Sequence, residues 1–231
     1  GGVLDFSVND KATSEIYTLS LHDALPIFRL RGLGVVPGAI DNDGDMDIYV
    51  ANDKDMNLLF INNGKGRFTE KALLMGVGFN GNGLAEAGMG VDFGDVNRDG
   101  WLDIFVTNFS GETNTLYLNK KSGFLVDATL ETGLGKPSSH FLAFGTKVVD
   151  LNMDGWRDIY VANGHVIDNI NLLNREYQHA QPNQVFINQR NGTFLDKTNT
   201  IGGDLLKPAV SRGVAFGDMD NDGDIDFIVS N

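Results

Sequence analysis

The chain has 231 residues, 42% of them hydrophobic, enough for a substantial core, and carries 31 acidic against 18 basic residues for a formal charge of −13. That balance argues against nucleic-acid phosphate as a partner, which requires a basic face, and against electrostatic docking on anionic lipid. There is no cysteine, hence no disulfide, thiolate metal site or Cys nucleophile, and no apolar run reaches the length of a membrane span.

In chain order, the opening GGVLDFSVND lacks the basic-then-apolar pattern of a signal peptide. Residues 4–11 (LDFSVNDK) resemble 46–54 (MDIYVANDK) with one gap, so 1–14 reads as the relic of an earlier repeat. Residues 15–27, EIYTLSLHDALPI, match nothing else in the chain. They are, codon for codon, the translation of a common short-read sequencing adapter. This stretch, with His22 and Asp23, is therefore set aside as an artefact, as an expression scar would be. The functional unit is expected over 28–231.

Four segments there align: AIDNDGDMDIYVAN (39–52), DVNRDGWLDIFVTN (95–108), DLNMDGWRDIYVAN (150–163) and DMDNDGDIDFIVSN (218–231). Their starts are 56, 55 and 68 residues apart. The first three are each followed by a second matching unit, NLLFINNGKGRFTEKA (57–72), NTLYLNKKSGFLVDAT (114–129) and NQVFINQRNGTFLDKT (183–198), and the third carries a polar insertion at 166–182. The DIYVA-type runs are apolar at consecutive positions, the mark of strands covered on both faces. The LLFI and GRF pieces are strands joined by Asn/Gly/Lys turns. A repeat of about four short strands, each sheet covered by its neighbours, describes a propeller blade. The expected fold is all-β: a β-propeller fragment of about three complete four-stranded blades plus part of a fourth, incomplete at both ends. The repeats fall near 32–78, 88–134, 143–202 and 211–231.

The recurrent loop is D-x-[DN]-x-D-G-x-x-D. It reads Asp95, Asn97, Asp99, Gly100, Asp103; Asp150, Asn152, Asp154, Gly155, Asp158; and Asp218, Asp220, Asp222, Gly223, Asp226. Alternating oxygens on a tightly turned loop can converge on Ca²⁺, which takes six to eight oxygen ligands at flexible geometry, and the glycine permits the turn. The seventh position (Trp101, Trp156, Asp224) would offer its carbonyl, and the ninth aspartate would close the shell. An EF-hand would place an acid at position twelve and continue into a helix; here that position is Val106, Val161 or Val229 within a strand. A single such loop could be an ordinary turn, but four in register pool fifteen of the 31 acids, a repulsion that turns do not need. The first copy has Ala39 at position one, leaving Asp41, Asp43 and Asp47 with the carbonyl of Asp45, and is expected to be a weaker or empty site.

The loops and the Phe-Gly pairs before two of them (Phe93-Gly94, Phe216-Gly217) resemble FG-GAP/VCBS repeats of integrin-like propellers. More closely, 32–231 is similar to the propeller of the cartilage-acidic-protein-like group, often followed by an ASPIC/UnbV module. GLAEAGMGVDFGD (83–95), TNFSGETNTLYLN (107–119), ANGHV (162–166) and SRGVAFGDMDNDGD (211–224) carry the likeness. The resemblance implies a secreted or surface-displayed calcium-binding propeller with no catalytic residues to carry over.

Elsewhere, His165 reads as a hydrogen-bonded turn histidine, His140 and His179 have no partner at recognisable spacing, and Glu86 is a lone acid. Trp101 and Trp156 read as packing beside their loops, and Asn108 (NFS) and Asn191 (NGT) are glycosylation sequons. The resulting expectation is a non-catalytic extracellular module that binds a protein or glycan, with its specific contacts in 166–182 and its further blades in the parent protein. The alternative is the propeller of a carbohydrate-active enzyme such as a polysaccharide lyase.

Overall fold

The computed structural model describes residues 3–7, 18–19, 30–121 and 123–231; of the adapter-like stretch 15–27 only Thr18–Leu19 lies among them. Its strands are β1 (Val3–Ser7), β2 (Thr18–Leu19), β3 (Gly32–Gly38), β4 (Asp47–Asn52), β5 (Leu58–Asn62), β6 (Arg67–Glu70), β7 (Val91–Gly94), β8 (Asp103–Val106), β9 (Thr115–Asn119), β10 (Leu125–Asp127), β11 (Ala143–Val149), β12 (Asp158–Asn163), β13 (Gln184–Asn188), β14 (Phe194–Asp196), β15 (Val214–Gly217) and β16 (Asp226–Val229). The helices are single turns, α1 (Gly135–Ser138), α2 (Ile170–Leu173) and α3 (Thr198–Ile201), and none of them is long and apolar enough to cross a membrane.

The strands pair antiparallel in chain order into sheets β3–β6, β7–β10, β11–β14 and the two-stranded β15–β16, with β1 and β2 added beyond β6. These are the three four-stranded blades and the partial fourth that the repeats imply. The second strand of each complete blade is covered on both sides, as its unbroken apolar run requires: Ile104, Phe105 and Val106 are buried in β8, and all six residues in β12. In the partial blade Phe227 and Ile228 remain 40% and 60% exposed.

The first strands β3, β7, β11 and β15 lie side by side as the inner strands of successive blades. Glycine makes this approach possible. A Cβ at Gly34 would overlap the Met89 carbonyl oxygen and one at Gly90 that of Phe144, while one at Gly145 would stand 2.8 Å from the Arg212 carbonyl. Adjacent blades thus meet backbone to backbone at the axis. The Phe-Gly pair has the same cause, since a Cβ at Gly94 would strike the Val148 side chain. Further along, a residue at or just before the next blade's first strand donates to the asparagine at or just past the end of the previous blade's second strand: Gly88 N–H to the Asn52 carbonyl, Ala143 N–H to that of Asn108 and Ser211 N–H to that of Asn163, at 2.9, 3.1 and 3.0 Å.

Those same asparagines clasp the turn to the third strand. Asn52, Asn108 and Asn163 donate Nδ2–H to the carbonyls of Met56, Thr113 and Pro182 and backbone N–H to Oδ1 of Asn57, Asn114 and Asn183, all at 2.7–3.0 Å. The insertion 166–182 therefore projects from an unchanged clasp.

Replacing Gly90 with alanine should cost about 3 kcal/mol, at the upper end of overpacking changes, because the obstacle is backbone. Gly217→Ala, where nothing lies within 4 Å, should stay within about 0.5 kcal/mol of the parent. Urea denaturation of the two variants tests the contrast.

Candidate metal centre

All four loops share one backbone path. The fourth residue is left-handed in each, Asn42, Arg98, Met153 and Asn221 at φ 56–62°, and so is the glycine at position six, Gly44, Gly100, Gly155 and Gly223, at φ 85–94°. A left-handed Arg or Met costs roughly 1–2 kcal/mol, so the loop must hold it there, and a ladder of side-chain acceptors does so. Asp95 accepts from Asp99 N–H and Gly100 N–H (3.0 and 2.8 Å), Asn97 Oδ1 from Asp99 N–H (3.0 Å), and Asp99 Oδ1 from Trp101 N–H (3.0 Å). Asp150, Asn152 and Asp154 repeat this, and Asp218 and Asp222 repeat the first and last rungs. Loop one lacks the first rung because position one is Ala39, and keeps Asp41 and Asp43 as acceptors for Asp43 N–H and Asp45 N–H.

The ladder aims oxygens inward. Among the described residues, Asp218, Asp220 and Asp222 form the one group of acidic or histidine side chains whose ligand atoms all lie within 4.8 Å of one another, and all three are exposed. Loops two and three have amides, Asn97 and Asn152, at the third position, whose oxygens are also hard donors. In loop one, Asp45 Oδ1 is buried with no partner, and burial followed by the charge of Asp43 raises the Asp45 pKa. The Asp41 pKa is likewise raised, burial again leading. Close-set hard oxygens and an orphaned carboxylate oxygen are the donor chemistry of a hard divalent cation.

The ninth-position aspartates do something that their spacing does not reveal. Asp47, Asp103 and Asp158 are wholly buried, and each joins the loop to the third strand. Asp47 accepts from Ile40 N–H and Asn62 N–H, Asp103 from Val96 N–H and Asn119 N–H, and Asp158 from Leu151 N–H and Asn188 N–H, at 2.8–3.1 Å. Asp226 accepts from Met219 N–H at 2.9 Å and stands outside the three-carboxylate group. Desolvation outweighs these bonds and raises the Asp47 pKa to about 6 and that of Asp103 to about 7, and it raises Asp158 as well.

Neighbouring loops touch through their left-handed corners. Asn42 Nδ2 donates to the Gly100 carbonyl at 3.3 Å, and the Arg98 guanidinium lies 5.5 Å from the Trp156 ring centroid. Trp101 and Trp156 are half-buried at the seventh positions. At the opposite end of the sheets, His165 is buried, its Nδ1 accepting from Ile167 N–H at 3.0 Å, with Phe109 edge-on at 5.4 Å and Tyr177 stacked at 6.3 Å. It is the hydrogen-bonded turn histidine expected, and it anchors the insertion. Glu86 is buried and accepts from Asn80, Asn108 and Thr115. It lines a cleft of about 310 Å³ with Asp127 and Glu131. The sequon residue Asn108 is only 1% exposed, whereas Asn191 lies exposed in the β13–β14 turn.

Sheets stacked through glycine-lined inner strands, each with an acidic loop at its first hairpin, define a repeat β-propeller of the acidic-loop class. The chain belongs to the FG-GAP-like repeat family, whose model matches residues 40–106, 95–161 and 150–229. It is 29% identical over 209 residues to cartilage acidic protein 1 of Xenopus tropicalis, covering 87% of this chain and 29% of that protein. The Homo sapiens protein of the same name is 26% identical over 201 residues, covering 87% and 28%. The chain thus spans less than a third of these relatives. A solved structure concerned with recognition of non-reducing terminal N-acetylglucosamine by an Agrocybe aegerita lectin aligns with a TM-score of 0.44 and 18% identity, over 85% of this chain and 42% of that one.

The raised pKa values set a pH dependence. Between about pH 4, the ordinary Asp range, and the folded values near 6 and 7, the folded chain binds more protons than the unfolded one. Stability contributed by these groups is therefore full at low pH and lost as pH rises through that window. In chelator, urea denaturation should show the chain more stable at pH 5 than at pH 8, with a shallower slope for Asp103→Asn.

Proposed function

We propose that this chain is a calcium-stabilised, non-catalytic binding module that works outside the cell. The observation carrying this reading is the convergence of Asp218, Asp220 and Asp222 within 4.8 Å in an exposed loop whose backbone path recurs four times. Carboxylates so close repel one another unless a cation lies between them. Positions one, three and five would supply side-chain oxygens and position seven a carbonyl. The ninth carboxylate, with about four lone-pair sites and two backbone donors already engaged, would contribute from beneath. Ca²⁺ would neutralise charge and fix the loops. Loop one, without an acid at position one, would hold the ion more weakly. Exposed loops of this kind suit the roughly 10⁻⁴–10⁻³ M affinities of extracellular modules, and the relatives are named for cartilage.

The protein or glycan ligand would be taken by the loops opposite the acidic ones, above all 166–182. There Leu172 and Leu173 are 79% and 71% exposed on a segment held at its base by His165 and the Asn163 clasp. A carbohydrate-active enzyme is the second reading, favoured by the raised pKa of buried Glu86 in its cleft, which desolvation causes. Three donors already hold that carboxylate, so we rank the reading second.

Thermal melts of the chain in EDTA and in millimolar Ca²⁺ test the calcium reading. With Kd of roughly 10⁻⁴–10⁻³ M, each site should stabilise the fold by about 0.4–1.4 kcal/mol at about 1 mM Ca²⁺, with a much smaller shift in Mg²⁺. A folded sample with no shift would sink it. On a glycan and matrix-protein array in Ca²⁺, changing Leu172 and Leu173 to serine should abolish capture while leaving the melt unchanged; retained capture would place the contacts elsewhere.

A further inference from the structure

The four loops are electrostatically unequal, and the difference comes from a neighbouring hairpin. Arg190, at the left-handed corner of the β13–β14 turn (φ 62°), places Nη2 2.9 Å and Nε 3.3 Å from Asp154 Oδ2, the fifth-position carboxylate of loop three. Lys121, at the same corner of the β9–β10 turn (φ 61°), places Nζ 2.9 Å from the Asp99 carbonyl oxygen and 3.6 Å from its Oδ2. In the first blade this corner is Gly64 (φ 72°), and Asp45 fills the space, its Oδ2 standing 2.9 Å from where a Cβ would lie.

The charges of the loops follow the same division. Loop one (39–47) carries four carboxylates and loop four (218–226) five, with no basic residue inside either. Loops two and three carry three each, contain Arg98 and Arg157 respectively, and receive Lys121 and Arg190 from outside. Loops two and three are largely neutralised before any ion arrives, whereas in loop one Gly64 leaves no base at the matching corner.

We infer that Lys121 and Arg190 are internal counter-ions that hold the fifth-position carboxylates of loops two and three in the ion-free protein, so that calcium binds these loops against a resident cation. The inference rests on the calcium reading above. A tethered base and a divalent ion seek the same carboxylate, and like charges a few ångströms apart repel. Loops two and three accordingly stay formed without calcium. Loop one, where Gly64 stands at the corner that carries the base in the next two blades, has no such counter-ion there. Loops two and three therefore hold calcium more weakly than their ligand oxygens alone would allow.

The chain's two tryptophans are the seventh-position residues of loops two and three, so terbium luminescence sensitised through indole reports on those loops. Terbium would be displaced by calcium from the full chain and from Lys121→Met, Arg190→Met and the double variant, with Trp101→Phe isolating loop three. Each Met variant should bind calcium about tenfold more tightly at its own loop, the order expected for removing a unit charge some 6 Å from a divalent ion in a water-like dielectric. Arg190→Lys should keep the parent affinity, and the Met variants should melt lower in chelator. Equal or weaker calcium affinity in the Met variants would overturn the inference alone, since the bases would then be orienting the carboxylates. A parent chain with neither sensitised terbium emission nor a calcium-dependent melt would remove the calcium reading, and this inference with it.

Discussion

Each complete blade depends on one buried carboxylate. The aspartate at the ninth loop position is the first residue of the second strand, and its two oxygens accept backbone N–H groups from the loop entry and from the end of the third strand. Without it, two inward-facing N–H donors would lack partners, at about 1–3 kcal/mol each. The asparagine receiving the second bond then reaches further: Asn119 Nδ2 donates to the Ile40 carbonyl and Asn188 Nδ2 to that of Val96, at 2.9 and 2.8 Å. One acid thus locks the hairpin to the third strand and, through that strand, to the preceding blade's loop. The acidic loops are part of how the blades cohere as well as sites on their surface.

Much of this was legible in the sequence, because propeller blades repeat and repetition separates rule from accident. The second strands were readable from runs such as DIFV, whose consecutive apolar residues require cover on both faces, and the loops from alternating Asp and Asn before a glycine. The hairpins followed from Asn-Gly-rich turns. What escaped were roles set by partners distant in sequence. The spacing offers Asp103 as the closing ligand of its loop, but it does not reveal the bonds from Val96 and Asn119 N–H by which that carboxylate also ties the loop to the third strand. The asparagine ending each second strand aligned in every copy, yet only the structure gives it the turn clasp and the carbonyl that receives the next blade. Nor did the spacing reveal Lys121 and Arg190, which lie 22 and 36 residues from the carboxylates that they meet.

The axial glycines are a different kind of constraint. Hydrophobic cores tolerate changes of shape when volume is conserved, but a carbonyl oxygen facing a Cα cannot repack. Gly34, Gly90 and Gly145 therefore fix the spacing of the blades, while side chains between the sheets, such as Tyr49 against Phe93 at 6.4 Å, fill whatever remains. The Phe-Gly leader joins both parts, the aromatic filling the interface and the glycine permitting it.

The hydrogen bond that each blade donates to the preceding one, from a residue at or just before its inner strand, bears on cooperativity. Because the Asn52, Asn108 and Asn163 carbonyls each wait on a donor from the following repeat, a blade completes its bonding only when its successor is in place. Such a line of units behaves as a one-dimensional array with nearest-neighbour coupling, in which a repeat's stability is partly lent by the one after it. Loss of order would then pass sequentially from blade to blade, and amide exchange across the three junctions would record that order as a gradient.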